Sequence, residues 1–268
     1  MELPIYQIDA FAAGAFRGNP AAVCPLERWL PDETMQAIAE ENNLAETAFY
    51  VRQGDLRQSA RYGLRWFTPT VEVDLCGHAT LATASVILGI RREIEGTRVV
   101  FDSRSGELAV ERDGDFYALD FPSRPPKEIA ADAAVEAALG AKPSAMLEAV
   151  DCLCVFETEA QVRALRPDMA GLSATGRFSF IATAPGTDCD FVSRFFAPRQ
   201  GIPEDPVTGR AHTVMIPYWS AKLGKKQMFA RQISRRGGEL WCEDRGPRVK
   251  ITGRAIKYLE GRITIPGN

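Results

Sequence analysis

One short pattern occurs twice in the chain. Arg65-Trp66-Phe67-Thr68-Pro69 and Arg194-Phe195-Phe196-Ala197-Pro198 both read Arg-aromatic-Phe-x-Pro. Upstream, Phe49 precedes Phe67 by 18 residues, as Phe178 precedes Phe196, which sets Thr175 opposite Glu46. Downstream, Gly77-x-Ala79 matches Gly209-x-Ala211, and each opens a mostly apolar segment. The offset between copies is 129 residues at the phenylalanines and 132 at the glycines, so the second copy carries a three-residue insertion between them. Either offset is close to half of the 268 residues. A length that allows one large or two medium domains is thereby narrowed to two related domains of nearly equal size.

Apolar periodicity fills in the copies. Leu3–Phe11, Thr47–Arg52, Gly63–Phe67, Thr97–Phe101, Glu107–Glu111 and Phe116–Phe121 have strand length and strand pattern. Pro31–Asn42 reads as an amphipathic helix with Pro31 at its start and Met35, Ile38 and Ala39 on one face. Gly77–Leu88 and Val207–Leu223 are apolar on nearly every side, and a helix of that kind is buried on every side. Each half is therefore expected to be a strongly bent sheet around a central helix. The proline-rich stretch Phe121–Pro126 reads as the linker. The expected division is an N-terminal domain over 1–118, with a C-terminal strand at about 258–268 available to complete it, and a C-terminal domain over 119–257. In the second half a helix is expected at Ala130–Leu139, strands at Cys152–Glu157 and Ser179–Thr183, and a tight turn at Arg235–Glu239.

Composition excludes several function classes. With 32 Lys+Arg against 35 Asp+Glu, no electrostatic footprint for nucleic acid or an anionic membrane is present. The longest run without charge or a strong breaker, Ala79–Ile90, is shorter than a membrane span. Met1–Pro20 has neither a basic region nor an apolar stretch of signal-peptide type, so a cytoplasmic protein with reduced, buried thiols is expected. The six cysteines contain no CxxC pair and the two histidines, His78 and His212, are far apart, so no metal site is expected.

Both central helices begin in polar, glycine-bearing loops, Asp74-Leu75-Cys76-Gly77-His78 and Glu204-Asp205-Pro206-Val207-Thr208-Gly209. Helix N-termini present free N–H groups and partial positive charge, which suit a carboxylate or a developing enolate. Two such ends facing each other would clamp a small anion. Asp74 and Asp205 read equally well as plain N-caps. His78, in a first helical turn, is expected to be kept neutral by the helix end; a hydrogen-bonded interface histidine is the alternative. His212 reads as a semi-buried, satisfied residue. Glu46, among Leu44, Ala45, Ala48 and Phe49, is costly to bury ionised, so its pKa is expected to rise towards that of a general acid or base; a surface glutamate is the alternative. Cys76 reads either as a helix-end thiolate or as a small buried residue. A two-thiol racemase would need a second cysteine near Gly209, and none is there.

Taken together, Asp9-Ala10-Phe11, Phe16-Arg17-Gly18-Asn19-Pro20-Ala21-Ala22-Val23, Leu44-Ala45-Glu46-Thr47-Ala48-Phe49, Phe67-Thr68-Pro69, Glu72-Val73-Asp74-Leu75-Cys76-Gly77-His78-Ala79-Thr80, Pro203-Glu204-Asp205-Pro206-Val207-Thr208-Gly209 and Ser234-Arg235-Arg236-Gly237-Gly238-Glu239 resemble the PhzF family of phenazine-biosynthesis-like isomerases. The resemblance spans nearly the whole chain in order. It implies an α+β fold of two pseudo-symmetric diaminopimelate epimerase-like domains, usually dimeric, and an isomerase that needs no cofactor. In such an enzyme Glu46 would move the proton, with His78 and Asp205 assisting. Gly77, Gly209 and Asn19 would touch a small carboxylate-bearing substrate.

One position departs from the family pattern. Arg210 stands where serine is common, and it could bind a second substrate carboxylate, fold back onto Asp205 or Glu204, or partly close the site. Two rival readings follow: a binding protein of the same fold that has lost its chemistry, and a racemase dependent on Cys76.

Overall fold

Two helices organise the chain, and each is buried because its sequence leaves it no polar face. The computed structural model describes residues 1–54 and 60–265; the last three residues of the segment expected at 258–268 lie outside the described residues. The chain divides into two compact units, Met1–Asp120 with the chain from Thr252 onward, and Phe121–Ile251.

The first unit contains β1 (Glu2–Ala10), β2 (Asn19–Leu26), α1 (Asp32–Asn42), β3 (Glu46–Arg52), β4 (Arg61–Phe67), β5 (Glu72–Val73) and α2 (Gly77–Ser85). After α2 come a π-helical turn, Val86–Ile90, and then β6 (Arg98–Ser103), β7 (Gly106–Asp113) and β8 (Phe116–Pro122). β1 pairs antiparallel with β2, β2 parallel with β3, β3 antiparallel with β4, and β4 parallel with β6. β6–β7 and β7–β8 are antiparallel hairpins.

The second unit contains β9 (Lys127–Ile129), α3 (Ala133–Leu139), β10 (Ala145–Glu148), β11 (Cys152–Val155), α4 (Glu159–Ala164), α5 (Met169–Ala174) and β12 (Phe180–Pro185). It continues with β13 (Phe191–Ala197), β14 (Ile202–Asp205), α6 (Gly209–Leu223), β15 (Gln227–Gln232) and β16 (Gly238–Asp244). Arg248–Ile251 of β17 (Arg248–Thr264) belong to this unit, and the rest of that strand pairs with β1 in the first. The pairing order is the same as in the first unit: β11 parallel with β12, β12 antiparallel with β13, β13 parallel with β15, β15 antiparallel with β16.

Every residue of α2 is buried, as the apolar run dictates. The same holds for most of α6, including Val214, Met215, Ile216 and Trp219. Pro217 inside α6 cannot donate to the carbonyl four residues back. That carbonyl, on Thr213, instead accepts from the Arg124 backbone N–H at 2.9 Å, which keeps the helix from leaving a buried acceptor unpaired. Outside the strands of the first unit, α1 lays Met35, Ile38 and Ala39 against Cys24, Phe49 and Phe67. In the second, α3, α4 and α5 cover Cys152, Cys154, Phe180 and Phe196.

Three local expectations change. Pro31 is the N-cap of α1 rather than its first residue. β8 runs on to Pro122, inside the expected linker, because proline is tolerated at a strand end. The segment expected as a tight turn is a longer connection between β15 and β16, closed by Gly237 at φ 69° and its N–H donating to Ser234 Oγ at 3.0 Å. Among the described residues no helix is long and apolar enough to cross a membrane.

Candidate active site

In the first unit three neighbouring segments bring four polar side chains together. β2 begins at Asn19 and β3 at Glu46, and the parallel register sets Ala21 beside Glu46. The Asn42 amide donates to Thr47 Oγ1 at 3.1 Å, and Phe49 lies in the core under α1, so the start of β3 is held from both faces. α2 opens with Cys76 as its N-cap in an extended conformation, which makes no side-chain hydrogen bond to the first turn. The first-turn N–H groups have no intrahelical acceptors by construction.

His78, the second residue of α2, is 5% exposed and sits among all three partners. The Asn19 amide nitrogen is 3.3 Å and the Cys76 sulfur 3.4 Å from its Nδ1. Its Nε2 is 3.0 Å from Glu46 Oε2, the Glu46 side chain being 12% exposed. Neither of these buried atoms has another hydrogen-bond partner inside the protein. The amide on Nδ1 holds the proton of a neutral ring on Nε2, facing the carboxylate.

The electrostatics overturn two expectations. Burial alone would push His78 down, but hydrogen bonding to Cys76 and the charge of the Glu46 carboxylate hold the imidazole well above the usual histidine range. The helix end, expected to keep it neutral, is outweighed by an anion at contact distance. Cys76 is pushed up to about 11, by burial first and by Glu46 second. It is a thiol at neutral pH, not the thiolate that a helix N-terminus favours.

The metal expectation also changes. Ligand atoms of Glu46, Cys76 and His78 lie within 4.8 Å of one another, a donor set gathered from distant positions that sequence spacing does not reveal. Cys76 and Glu46 approach opposite nitrogens of one imidazole, so closing all three on a single ion would require the ring to turn.

In the second unit Asp205 ends β14 and is 8% exposed. Thr208, the N-cap of α6, donates its hydroxyl to Asp205 instead of receiving an N–H from the helix. Gln232 stitches the loop: its amide donates to the Asp205 carbonyl at 2.8 Å, and its Oε1 accepts from Thr208 N–H at 2.9 Å. Asp74 and Asp205 therefore precede the caps Cys76 and Thr208 and are not themselves N-caps. His212 is fully buried rather than semi-buried, and only half satisfied. Its Nδ1 donates to the Thr208 carbonyl at 2.9 Å, its Nε2 has no hydrogen-bond partner in the protein, and burial lowers its pKa to about 4.

Arg210 does not fold back onto Asp205 or Glu204. Its guanidinium is 3.1 Å from the fully buried Asp151 and lies over the rings of Phe178 and Phe195 at 5.0 and 5.6 Å. Ser179 also donates to Asp151. Glu204, an expected partner, is held by both arms of Arg194 at 2.7 and 3.0 Å.

Residues 8–261 match the family described as phenazine biosynthesis-like protein, PhzC-PhzF. The chain belongs to that family. A Pseudomonas aeruginosa protein named as an uncharacterized isomerase is 50% identical over 99% of this chain and 100% of its own. The crystal structure of a PhzF-family protein from Enterococcus faecalis has 46% identity and a TM-score of 0.95, covering 99% of this chain and 100% of that one. A predicted epimerase from Pseudomonas aeruginosa, at 18% identity and a TM-score of 0.73 over 98% of this chain and 100% of that one, shares the fold. The fold is α+β and diaminopimelate epimerase-like.

The strand registers of this PhzF-family chain correct the alignment of its two copies. Thr47 pairs with Phe67, and Phe180 with Phe196. Since Phe67 and Phe196 are equivalent, Ser179 and not Thr175 stands opposite Glu46; Thr175 is the C-cap of α5. The glycine match makes Arg210 the counterpart of His78, and Thr208 that of Cys76. Asn19 contacts His78, Gly77 opens α2 and Gly209 opens α6. Asp151, Ser179 and Gln232 escaped the sequence reading because each acts through a contact distant in sequence. Thr208 was within reach, since it immediately precedes the matched glycine.

Proposed function

We propose that this PhzF-family protein is a cofactor-independent isomerase or epimerase that moves a carbon-bound proton on a small, carboxylate-bearing amino or hydroxy acid. The observation that carries the reading is the contact between Glu46 Oε2 and His78 Nε2, two buried atoms 3.0 Å apart. A carboxylate so placed keeps a lone pair for a substrate C–H. Glu46 takes the proton from carbon, the electron pair left behind spreads into the substrate, and Glu46 returns the proton to carbon. His78 orients Glu46 from 3.0 Å, and Asn19 and Cys76 hold the ring at Nδ1. The uncapped N–H groups at Gly77 stabilise negative charge on the substrate. By the family resemblance Asp205 orients a polar substrate group, with its side chain set by Thr208, and Gly209 supplies a second helix end.

The rival readings lose their motives. A Cys76 racemase needs a thiolate, and Cys76 is pushed up to about 11, with Thr208 at the equivalent place in the second copy. The binding-protein reading rested on Arg210 filling a site, and Arg210 is committed to Asp151. The test is deuterium uptake from heavy water into a panel of small amino and hydroxy acids, followed by NMR. Uptake on one class of acid that is lost in Glu46→Gln supports the reading. Undiminished exchange by Glu46→Gln removes Glu46 from its role, and loss in Cys76→Ser alone restores the racemase.

A further inference from the structure

β11 places two thiols on one face of a strand, away from Glu46 and His78. Cys152 and Cys154 are two residues apart, so their side chains project the same way. Their sulfurs are 3.9 Å apart. The antiparallel partner β10 sets Met146 directly opposite Cys154 and Glu148 opposite Cys152. Met146 and both cysteines belong to one core cluster, and Met146 Sδ already accepts a weak hydrogen bond from Asp132 N–H at 3.4 Å. We propose that Cys152 and Cys154, with the Met146 thioether beside them, form a binding site for a soft monovalent metal ion of the cuprous type.

The distance is the first argument. An ion about 2.3 Å from each sulfur, a normal metal–thiolate length, would see two sulfurs 3.9 Å apart at an angle of about 116°, near that of a trigonal site. Thiolate and thioether ligands select Cu(I) over harder ions, and the pair offers no nearby imidazole to favour another metal. Charge is the second. Binding releases a proton from each thiol, so two thiolates and one Cu(I) carry a net single negative charge. Arg177, paired with Asp132 at 3.2 Å and with Glu148, the residue opposite Cys152, brings a positive charge to this edge of the site.

Access is the third. Cys154 is fully buried and Cys152 is 2% exposed, but Cys152 is the first residue of β11, beside a hairpin turn where Val150 is exposed. At that end of the strand Arg177, Asp132 and Glu148 are 22%, 31% and 44% exposed, so polar surface side chains rather than the core lie on the way to it.

The test presents Cu(I) as its bicinchoninate complex to the reduced full-length protein without oxygen. The expected result is withdrawal of one equivalent by the wild type and by Cys189→Ser. Affinity should fall at least about a hundredfold in both Cys152→Ala and Cys154→Ala, whose circular dichroism and melting show whether they fold. Equal competition by those variants, or none by the wild type, overturns the proposal. Copper X-ray absorption on the wild-type complex keeps it falsifiable should a variant fail to fold. Two or three sulfur neighbours at about 2.3 Å support the site. A shell dominated by nitrogen and oxygen overturns it, placing the ion at Glu46, Cys76 and His78 instead.

Discussion

The two halves share a frame and differ in what they mount on it. In each, the arginine of the repeated pattern grips a glutamate and lies over the phenylalanine two residues on. Arg65 holds Glu72 at 2.7 and 2.8 Å and stacks on Phe67 at 5.2 Å. Arg194 holds Glu204 at 2.7 and 3.0 Å and stacks on Phe196 at 5.0 Å. At the second residue of the central helix the halves part. The first has His78 against Glu46; the second has Arg210 against Asp151, with Ser179 in the place of Glu46. Imidazole and carboxylate can exchange a proton near neutral pH, whereas a guanidinium never gives one up. A duplicated scaffold thus carries an imidazole–carboxylate pair on one side and a guanidinium–carboxylate pair on the other.

The sharpest way to break this contrast is to give the first half the cation of the second. His78→Arg leaves Glu46 paired but with a partner that cannot share its proton or fit the pocket made for a ring. Substrate deuterium exchange should fall by about 10²–10⁴-fold, the usual worth of a positioned acid–base group. Exchange within a few-fold of wild type would mean that His78 does no more than hold a charge.

The ion pair of the second half gives the next effect. Arg210→Met strands the Asp151 carboxylate, which is fully buried and keeps only Ser179. The expected loss in denaturant unfolding is about 3–5 kcal/mol, and Arg210→Met with Asp151→Asn should recover most of it. His78→Gln should cost less, since the Glu46 side chain is 12% exposed whereas that of Asp151 is fully buried. A single variant of Arg210 with no loss would show that Asp151 is reached by water.

How far the sequence carries follows from the range of each contact. The Arg-aromatic-Phe repeat and the apolar runs of α2 and α6 are local signals, so they place the frame and the helix ends directly. Glu46 and His78 were legible singly, one as a carboxylate among apolar neighbours and one as a helix-end histidine. Their mutual approach was not, because it depends on the parallel register of β2 with β3 and on where α2 passes. Arg210 misled for the same reason: Asp205 and Glu204 are its neighbours in sequence, while Asp151 reaches it from another strand. α4 carries a plain signal that the reading passed over, a capping box from Thr158 to Gln161. The Cys152–Cys154 pair was hidden by a search for CxxC spacing, which suits loops and not a strand.

The two histidines should separate the halves by pH. Unfolded, His212 takes a proton near 6.5; folded, only near 4. Between those values the unfolded chain binds a proton that the folded chain refuses, so stability falls as pH drops through that window. The full loss is about 3 kcal/mol, at about 1.4 kcal/mol per pH unit. His78 has the opposite sign. Its folded pKa is raised, so its contribution is complete below about 6.5 and is lost as pH climbs towards the folded value. Urea unfolding across pH 4–8 should show an acid limb removed by His212→Phe and an alkaline decline removed by His78→Gln. Exchange of those assignments would reverse the electrostatic reading of both sites.

The smallest effect tests the shared frame itself. Arg65→Lys and Arg194→Lys each exchange a two-armed, stacked guanidinium for a point charge that keeps one contact. Both arginines are mostly buried, at 18% and 12% side-chain exposure, and each glutamate retains a cation, so the cost is partial: about 1 kcal/mol apiece. Their equivalence predicts similar losses in the two halves. Their separate partners predict additivity within about 0.5 kcal/mol in the double variant. Arg65 adds an ion pair at 2.8 Å with Asp32, which is 68% exposed and contributes little, and lies over Trp29 at 5.6 Å. Arg194 instead donates to the carbonyls of Val162 and Leu165 at 3.2 and 2.9 Å. A loss confined to one half would mean that the repeated pattern is a coincidence of sequence there, and that its arginine is packed rather than anchored.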